Sequence, residues 1–164
     1  PETRMRLLAE VIEERRPDVV LLQEVTPRLA ELLDAHPAVR PYWRTSVEHI
    51  PTHAHCPSGL RILARQPFEA ALTMLPSNSG RNVLTARFSC GLVAATFHLE
   101  SAMADHRLRA WQAAAIGEVV ASHACAFAVL GGDTNVKEGA TADAPLSFGV
   151  GEADAWPRGM EGGG

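Results

Sequence analysis

Asp133 and Asn135 are the residues whose types and spacing best suit acid–base chemistry in this sequence. They follow Gly131 and Gly132, which predict a sharp end to the preceding strand and room for a ligand beside it. A carboxylate can accept a proton, and an amide two residues away can hold the same water molecule. The pattern favours activation of water, and the alternative is an Asx turn that only closes the strand.

Two further apolar runs end in residues capable of chemistry. Glu24 lies just after the run Val19–Leu22, where its carboxylate is costly to place unless it finds a cation. The alternative is a glutamate that caps the strand or faces solvent. His98 ends the run Leu92–His98 and is followed by polar residues. A lone histidine on a strand is more often a core residue, but polar neighbours at a strand end favour a functional one.

One segment is crowded with side chains that could bind zinc, namely His49, His53, His55 and Cys56. A structural zinc site is tetrahedral, and no second cluster in the chain supplies the other side of such a site. A polar loop is therefore favoured over a zinc site.

The composition predicts one soluble domain. With 164 residues and 46% hydrophobic content the chain can fill a core, so we assign residues 1–158 to a single domain and 159–164 to a glycine-rich tail. A net charge of -4 argues against a broad basic surface that coats nucleic acid. Three cysteines without a CxxC pair argue against a disulfide framework, and no apolar run is long enough to cross a bilayer. We expect an intracellular monomer, cytoplasmic, or nuclear in a eukaryote.

The hydrophobic periodicity predicts the order helix, strand, helix, several strands, long helix, strand. Hairpins mixed with helical crossovers predict sheets covered by helices on their outer faces. The predicted helices are Thr3–Arg16 with Met5, Leu8, Val11 and Ile12 on its apolar stripe, one beginning at Thr26-Pro27, and Ala104–Ala121 with Leu108, Trp111, Ala115 and Val119 on its stripe. The predicted strands are Val19–Leu22, Ala38–Val47, Gly59–Ala64, Phe68–Leu75, Arg81–Ser89, Leu92–His98 and Ala126–Leu130, the last buried on both faces, with a hairpin turn at Cys90-Gly91.

Three motifs in a fixed order carry a resemblance to a known family. They are Leu22-Gln23-Glu24, His98-Leu99-Glu100-Ser101 and Gly132-Asp133-Thr134-Asn135. In this order they resemble the endonuclease/exonuclease/phosphatase superfamily. Within it, the chain is similar to the 5′-tyrosyl-DNA phosphodiesterases in the tetrapeptide that begins at His98 and in Arg81-Asn82, Arg109-x-x-Gln112 and Asp154-Ala155-Trp156. The resemblance extends from about Arg4 to Trp156.

The resemblance implies an α/β (α+β) fold, a four-layer sandwich of two mixed β-sheets flanked by helices. It implies a phosphodiesterase of DNA repair that uses Mg²⁺, or Mn²⁺, to hydrolyse a 5′-phosphotyrosyl-DNA bond. Its partner would be a DNA 5′ end that carries a tyrosyl adduct. The alternatives are a nuclease, a sphingomyelinase-like enzyme or a phosphoinositide phosphatase of the same superfamily, and a non-catalytic binding relative.

The resemblance also implies roles for individual residues. Glu24 would bind the metal, while Asp133 would activate the attacking water and Asn135 would orient it. His98 would contact the scissile phosphate, where fixed donors stabilise the charge of the transition state. The residues implied in substrate binding are Arg81, near the tyrosyl leaving group, Asn82 and Ser101.

Two segments of the family pattern do not occur in this sequence. One is an asparagine in a Trp-Asn pair before the first helix, and the other is a Ser-Asp-His segment near the carboxyl end. We therefore expect a fragment that lacks the first strand and the carboxyl-terminal segment, and that is a poor catalyst alone.

Overall fold

Helices and strands alternate along the chain in a computed structural model that describes residues 2–45, 58–101, 106–136 and 146–149. Those residues form three α-helices, one 3₁₀ turn and seven strands. In chain order they are α1 (Glu2–Arg15), β1 (Val19–Val25), α2 (Pro27–Ala35), the 3₁₀ turn (Pro37–Val39), β2 (Trp43–Arg44), β3 (Gly59–Ala64), β4 (Glu69–Met74), β5 (Asn82–Arg87), β6 (Leu92–His98), α3 (His106–Ser122) and β7 (Phe127–Asp133). None of these helices is long and apolar enough to cross a membrane.

The strands form two sheets. The first has the order β1-β3-β2 and is antiparallel throughout its described strands. The second has the order β4-β5-β6-β7, in which β7 runs parallel to β6 and the other pairs are antiparallel. The hairpin predicted at Cys90-Gly91 joins β5 to β6, and Gly91 has a φ of 85°, a conformation that glycine adopts without strain. Helix α3 is the crossover that a parallel β6–β7 pair requires.

The two sheets pack face to face, with helices outside each of them. Between the sheets, Leu60 and Ile62 of β3 meet Leu84 and Ala86 of β5. On the outer face of the first sheet, α1 and α2 contribute Ile12 and Leu33, packed with Val20, Leu63 and others. On the outer face of the second, α3 contributes Ile116 and Val120, packed against Val83, Ala95 and Phe97. The predicted four-layer sandwich is confirmed.

The apolar stripes predicted for the helices were partly wrong. Val11 of α1 is 53% exposed, whereas Ala9 is fully buried. Trp111 of α3 is 62% exposed, and the buried face of α3 carries Arg109 and Gln112 instead. Hydrophobic periodicity did not predict the buried face of α3 because Arg109 and Gln112 on that face form hydrogen bonds with backbone polar groups, which require polar side chains.

Strand β7 also differs from its prediction. We predicted burial on both faces, but Phe127 is 72% exposed and Val129 is 54% exposed, because β7 is the last strand of the described sheet. Gly131 and Gly132 do not end the strand, since they lie within it. The space they leave is occupied by protein: a Cβ on Gly131 would lie 2.9 Å from the Leu21 side chain, and one on Gly132 would overlap Phe97.

The predicted strand Ala38–Val47 is not continuous over its described residues, 38–45. Among these, Trp43–Arg44 form a strand paired with β3, and the Thr45 amide donates to the Ile62 carbonyl at 3.2 Å. Pro37–Val39 instead form the 3₁₀ turn because a proline follows His36, whose imidazole caps the turn through the Ala38 amide. The segment His49 to Cys56, for which a polar loop was predicted, lies outside the described residues.

Candidate active site

His98 and Asp133 come together where β6 and β7 end side by side. The parallel register places His98 opposite Asp133, and His98 Nε2 lies 3.7 Å from Asp133 Oδ2. The Leu99 amide donates to the Asp133 carbonyl at 2.8 Å, which extends the pairing by one residue. Because the carboxyl ends of parallel strands meet at one edge, the topology itself joins these residues.

The turn after β7 holds the Asp133 side chain in a fixed position. The Asn135 amide N–H donates to Asp133 Oδ1 at 2.8 Å, so the Asx turn raised as an alternative is present. Asn135 adopts a φ of 54°, which asparagine tolerates better than most residues, and its Nδ2 donates to the Leu99 carbonyl at 2.9 Å. The turn does not exclude chemistry, since it uses one Asp133 oxygen and leaves the other facing His98.

Glu24 lies within β1 at an irregularity in the pairing with β3. The register shifts between Leu22 and Val25, and Glu24 has a φ of 55° with an exposed side chain. We predicted that Gln23 and Glu24 would end the strand, and the strand continues one residue further, to Val25. Next to Glu24, Gln23 Nε2 donates to Thr96 Oγ1 of β6 at 2.8 Å, which links the two sheets beside the site. A non-glycine residue in the left-handed region costs about 1–3 kcal/mol, and such strain clusters at functional positions.

The surroundings of His98 favour its neutral form. Burial is the main cause that lowers the pKa of His98 below its ordinary value of 6.5, and the Arg81 cation lowers it further. The carboxylates of Asp133, Glu24 and Glu100 oppose this shift in that order of effect without reversing it. Glu24, Arg81 and Asp133 therefore lie close enough to His98 to act on its imidazole. With His98 itself, the four residues come from β1, the start of β5, β7 and β6.

Arg81, just before β5, and Asn82, its first residue, carry polar atoms that lack partners among the described residues. Arg81 Nε and Asn82 Oδ1 are both buried without a hydrogen bond, while Asn82 Nδ2 donates to the Gly80 carbonyl at 3.3 Å. An unpaired buried polar group typically costs about 1–3 kcal/mol, so a ligand that pairs with it gains that amount. Ser101 is exposed at the end of the described segment 58–101.

Glu100 is a site-proximal residue for which no sequence pattern predicted a role. Its side chain is 1% exposed. The carboxylate accepts hydrogen bonds from Ser77 Oγ at 2.8 Å, from the Asn78 amide at 3.2 Å and from Ser79 Oγ. A glutamate that is buried in a loop needs hydrogen-bond donors, but nothing in the sequence identifies the turn at Ser77–Ser79 as their source.

Comparison with known proteins fixes the family. The sequence matches the Endonuclease/Exonuclease/phosphatase family over residues 1–156. The chain belongs to this family. The resemblance carried by the three motifs is thereby confirmed. No match is found among curated proteins.

Solved structures of this family share the fold. A humanized D. rerio TDP2 with 14 mutations has a TM-score of 0.69 and 25% identity, over 82% of this chain and 56% of that one. D. rerio TDP2 complexed with a single-strand DNA product has a TM-score of 0.66 and 25% identity, over 82% and 54%. ANGEL2, a 2′,3′-cyclic phosphatase, has a TM-score of 0.63 and 19% identity, over 83% and 45%, which shows the fold alone. The chain spans about half the length of the TDP2 structures that it matches.

The side chains described at this site fit a magnesium site better than a zinc site. Among the described residues, no three His, Cys, Asp or Glu side chains are grouped to hold a metal ion. A zinc cage therefore does not fit these residues. Mg²⁺ is different, because it keeps several waters and is bound through one or two carboxylates together with substrate phosphate. The exposed carboxylate of Glu24, which lies close enough to His98 to act on its pKa, fits that second pattern.

Proposed function

We propose that this chain carries the catalytic groups of a Mg²⁺-dependent phosphodiesterase, with Mn²⁺ as a substitute, that hydrolyses a 5′-phosphotyrosyl-DNA bond. The observation that supports this most is the pairing of His98 with Asp133 at the ends of β6 and β7, with Glu24 and Arg81 acting on the same imidazole. Family membership supports the reaction class, and similarity to TDP2, a 5′-tyrosyl-DNA phosphodiesterase, supports the substrate.

In the proposed reaction, Asp133 takes the proton of the attacking water. Oδ1 of Asp133 is held by the Asn135 amide, which leaves Oδ2 to receive the proton. The water oxygen forms a bond to phosphorus as the bond from phosphorus to the tyrosine oxygen breaks. The products are a DNA 5′-phosphate and a tyrosine phenolate, and the phenolate then takes a proton from solvent.

The remaining groups stabilise negative charge. His98, whose surroundings favour its neutral form, donates a hydrogen bond to a phosphate oxygen from the ring nitrogen that carries its proton. Arg81 faces the phenolate and stabilises it as it leaves, and Ser101 and Asn82 bind the neighbouring phosphate and the leaving group. A divalent ion held by Glu24, water and the phosphate would act as a Lewis acid on a phosphoryl oxygen.

Glu24→Gln tests the metal-binding role. The substitution removes the charge and keeps the size, and because Glu24 is exposed the fold should be retained. We expect Mg²⁺-dependent cleavage of a 5′-tyrosyl oligonucleotide to fall by about 10²-fold or more, as when one preorganised group is lost. Glu118→Gln, on the exposed face of α3, is the matched control and should keep full activity. Near-normal activity of Glu24→Gln at saturating Mg²⁺ would refute the assignment.

The substrate class is tested separately from the metal. A 5′-tyrosyl oligonucleotide and a duplex with an abasic site are offered side by side to the same preparation. Faster incision of the abasic duplex would keep the phosphodiesterase and reject the tyrosyl substrate. That outcome would favour the nuclease alternative within the family.

A further inference from the structure

A buried network connects Glu100 to Arg81. Ser77 Oγ donates to Glu100 Oε2 at 2.8 Å and accepts from the Arg81 amide at 2.9 Å and from the Ser79 amide at 3.0 Å. The Asn78 amide and Ser79 Oγ also donate to the Glu100 carboxylate. These hydrogen bonds hold the turn Ser77–Gly80 against the Glu100 carboxylate. The Ser77 hydroxyl, which bonds to both Glu100 and the Arg81 amide, links the carboxylate to the backbone of Arg81.

The backbone of Glu100 is held just as firmly. Its amide donates to Gln112 Oε1 at 2.9 Å, and its carbonyl accepts from Arg109 Nη1 at 3.3 Å. Gln112 Nε2 also donates to the Pro76 carbonyl at 2.8 Å, immediately before the turn. Helix α3 therefore forms hydrogen bonds with both the Glu100 backbone and the residue before the turn. This explains why its buried face carries Arg109 and Gln112.

The charge of Glu100 is compatible with this buried position. Burial by itself raises the pKa of Glu100, but hydrogen bonds from Ser79, Ser77 and the Asn78 amide lower it, and the Arg81 cation adds to them. The net effect is a pKa below the ordinary value of 4.5, so the group is an anion at neutral pH. An anion with three donors holds a turn more firmly than a neutral group would, since charge-assisted hydrogen bonds are about twice as strong.

We propose that Glu100 is a positioning residue that fixes Arg81 toward the leaving group, and this rests on the proposed function. Arg81 Nε is buried without a hydrogen-bond partner among the described residues, so the turn holds in place a donor that a ligand could satisfy. Glu100 does not touch the substrate and acts only through Ser77 and the start of β5. Its carboxylate also balances the charge of Arg81 beside His98.

A double-mutant cycle between Glu100 and Arg81 tests this role. In the otherwise unchanged chain, Glu100→Gln should lower kcat/KM for a 5′-tyrosyl oligonucleotide by about tenfold or more, since a shift of about 1 Å at the site can cost 10²-fold. In an Arg81→Ala background the same substitution should change the rate by less than about twofold, because the group through which it acts is absent. Equal losses in both backgrounds would overturn the proposal and indicate a purely structural role.

The leaving group gives a second readout. A p-nitrophenyl ester of a nucleoside 5′-phosphate releases a more stable anion than tyrosine does, so it depends less on Arg81. The loss caused by Glu100→Gln should therefore be smaller for this ester than for the tyrosyl substrate. Ser77→Ala, which keeps the carboxylate and removes the link to the Arg81 amide, should reproduce the pattern, and Glu118→Gln should show none of it.

Amide hydrogen exchange separates this proposal from the proposed function. Glu100→Gln should speed exchange at the amides of Asn78 and Arg81 and leave the Leu99 amide, which bonds to Asp133, unchanged. Because exchange needs no catalysis, it tests the network even if the unsubstituted chain cleaves no phosphodiester and the proposed function fails. Unchanged exchange at Arg81 in Glu100→Gln would overturn the positioning role whatever the activity.

Discussion

Gly132→Ala is the substitution that most directly tests how the sheet builds the site. Gly132 pairs with Phe97 in the parallel register, one residue before the pair His98–Asp133. A Cβ at position 132 would overlap the Phe97 carbonyl oxygen and lie 2.6 Å from Phe97 Cδ2 and 2.8 Å from Cε2. The overlap is with backbone and with a packed ring, neither of which can turn aside.

The size of the effect follows from these distances. Non-bonded carbon atoms rest about 3.5–4.0 Å apart, so the strand must move by about 1 Å to relieve a contact of 2.6 Å. Overpacking of this kind typically lowers the free energy of unfolding by about 1–3 kcal/mol. A displacement of about 1 Å in a catalytic group can cost about 10²-fold in rate, because Asp133 moves with the strand.

Gly131→Ala is the matched control for this substitution. Its Cβ would lie 2.9 Å from Leu21 Cδ1, a terminal methyl group that can rotate away. We expect Gly132→Ala to lose about 10²-fold in kcat for a 5′-tyrosyl oligonucleotide and to unfold at lower urea concentration, with Gly131→Ala close to the parent in both. Two results would refute this reasoning: Gly132→Ala keeps its activity within about threefold, or Gly131→Ala loses more activity and stability than Gly132→Ala. Either would mean that the spacing of β6 and β7 does not position the catalytic groups.

Two further outcomes are expected. The folded-state pKa of His98 is below its ordinary value of 6.5, so the unfolded chain binds this proton more readily. The contribution of His98 to the free energy of unfolding should therefore be constant above that pH and fall as pH decreases through it. Urea unfolding between about pH 5 and 8 should show a steeper loss of stability toward low pH in the unsubstituted chain than in His98→Asn, and equal slopes would contradict the expectation. Replacing glycine by alanine inside a helix usually stabilises a protein by about 1 kcal/mol. At Gly117, however, a Cβ would overlap the Phe148 carbonyl oxygen and lie 2.7 Å from the carbonyl carbon, so Gly117→Ala should lower the melting temperature. A rise in melting temperature would show that residues 146–149 do not pack there.

Strands whose bounds follow from the local hydrophobic pattern were predicted well. Gly59–Ala64 and Leu92–His98 have the predicted bounds, because short apolar runs flanked by turn residues have few alternatives to a buried strand. The motifs around Glu24, His98 and Asp133 indicated the candidate site, since polar residues at the ends of apolar strands are costly without a function. The parallel register that joins His98 to Asp133 could not be read from either strand alone.

Features that depend on partners distant in the sequence were missed. The exposure of Phe127 depends on which strands flank β7, and no periodicity within β7 encodes that. The role of Glu100 depends on a turn more than twenty residues earlier, as its hydrogen bond to Ser77 spans 23 positions. The left-handed backbone of Glu24 is set by the pairing of β1 with β3, and glutamate has no preference for it. In each case the chain's tertiary contacts override the local preference.

The parallel pairing of β6 with β7 has a consequence for the time course of folding. The β5–β6 hairpin closes a short turn, and hairpins form in about 1–10 μs. Strand β7 joins β6 through the longer crossover that contains α3, and such non-local pairings are intrinsically slow. Until β7 docks, the His98 imidazole has no Asp133 opposite it, however complete the rest of the sandwich is. The pairing of His98 with Asp133 therefore reports the docking of β7, whereas helical circular dichroism reports local structure.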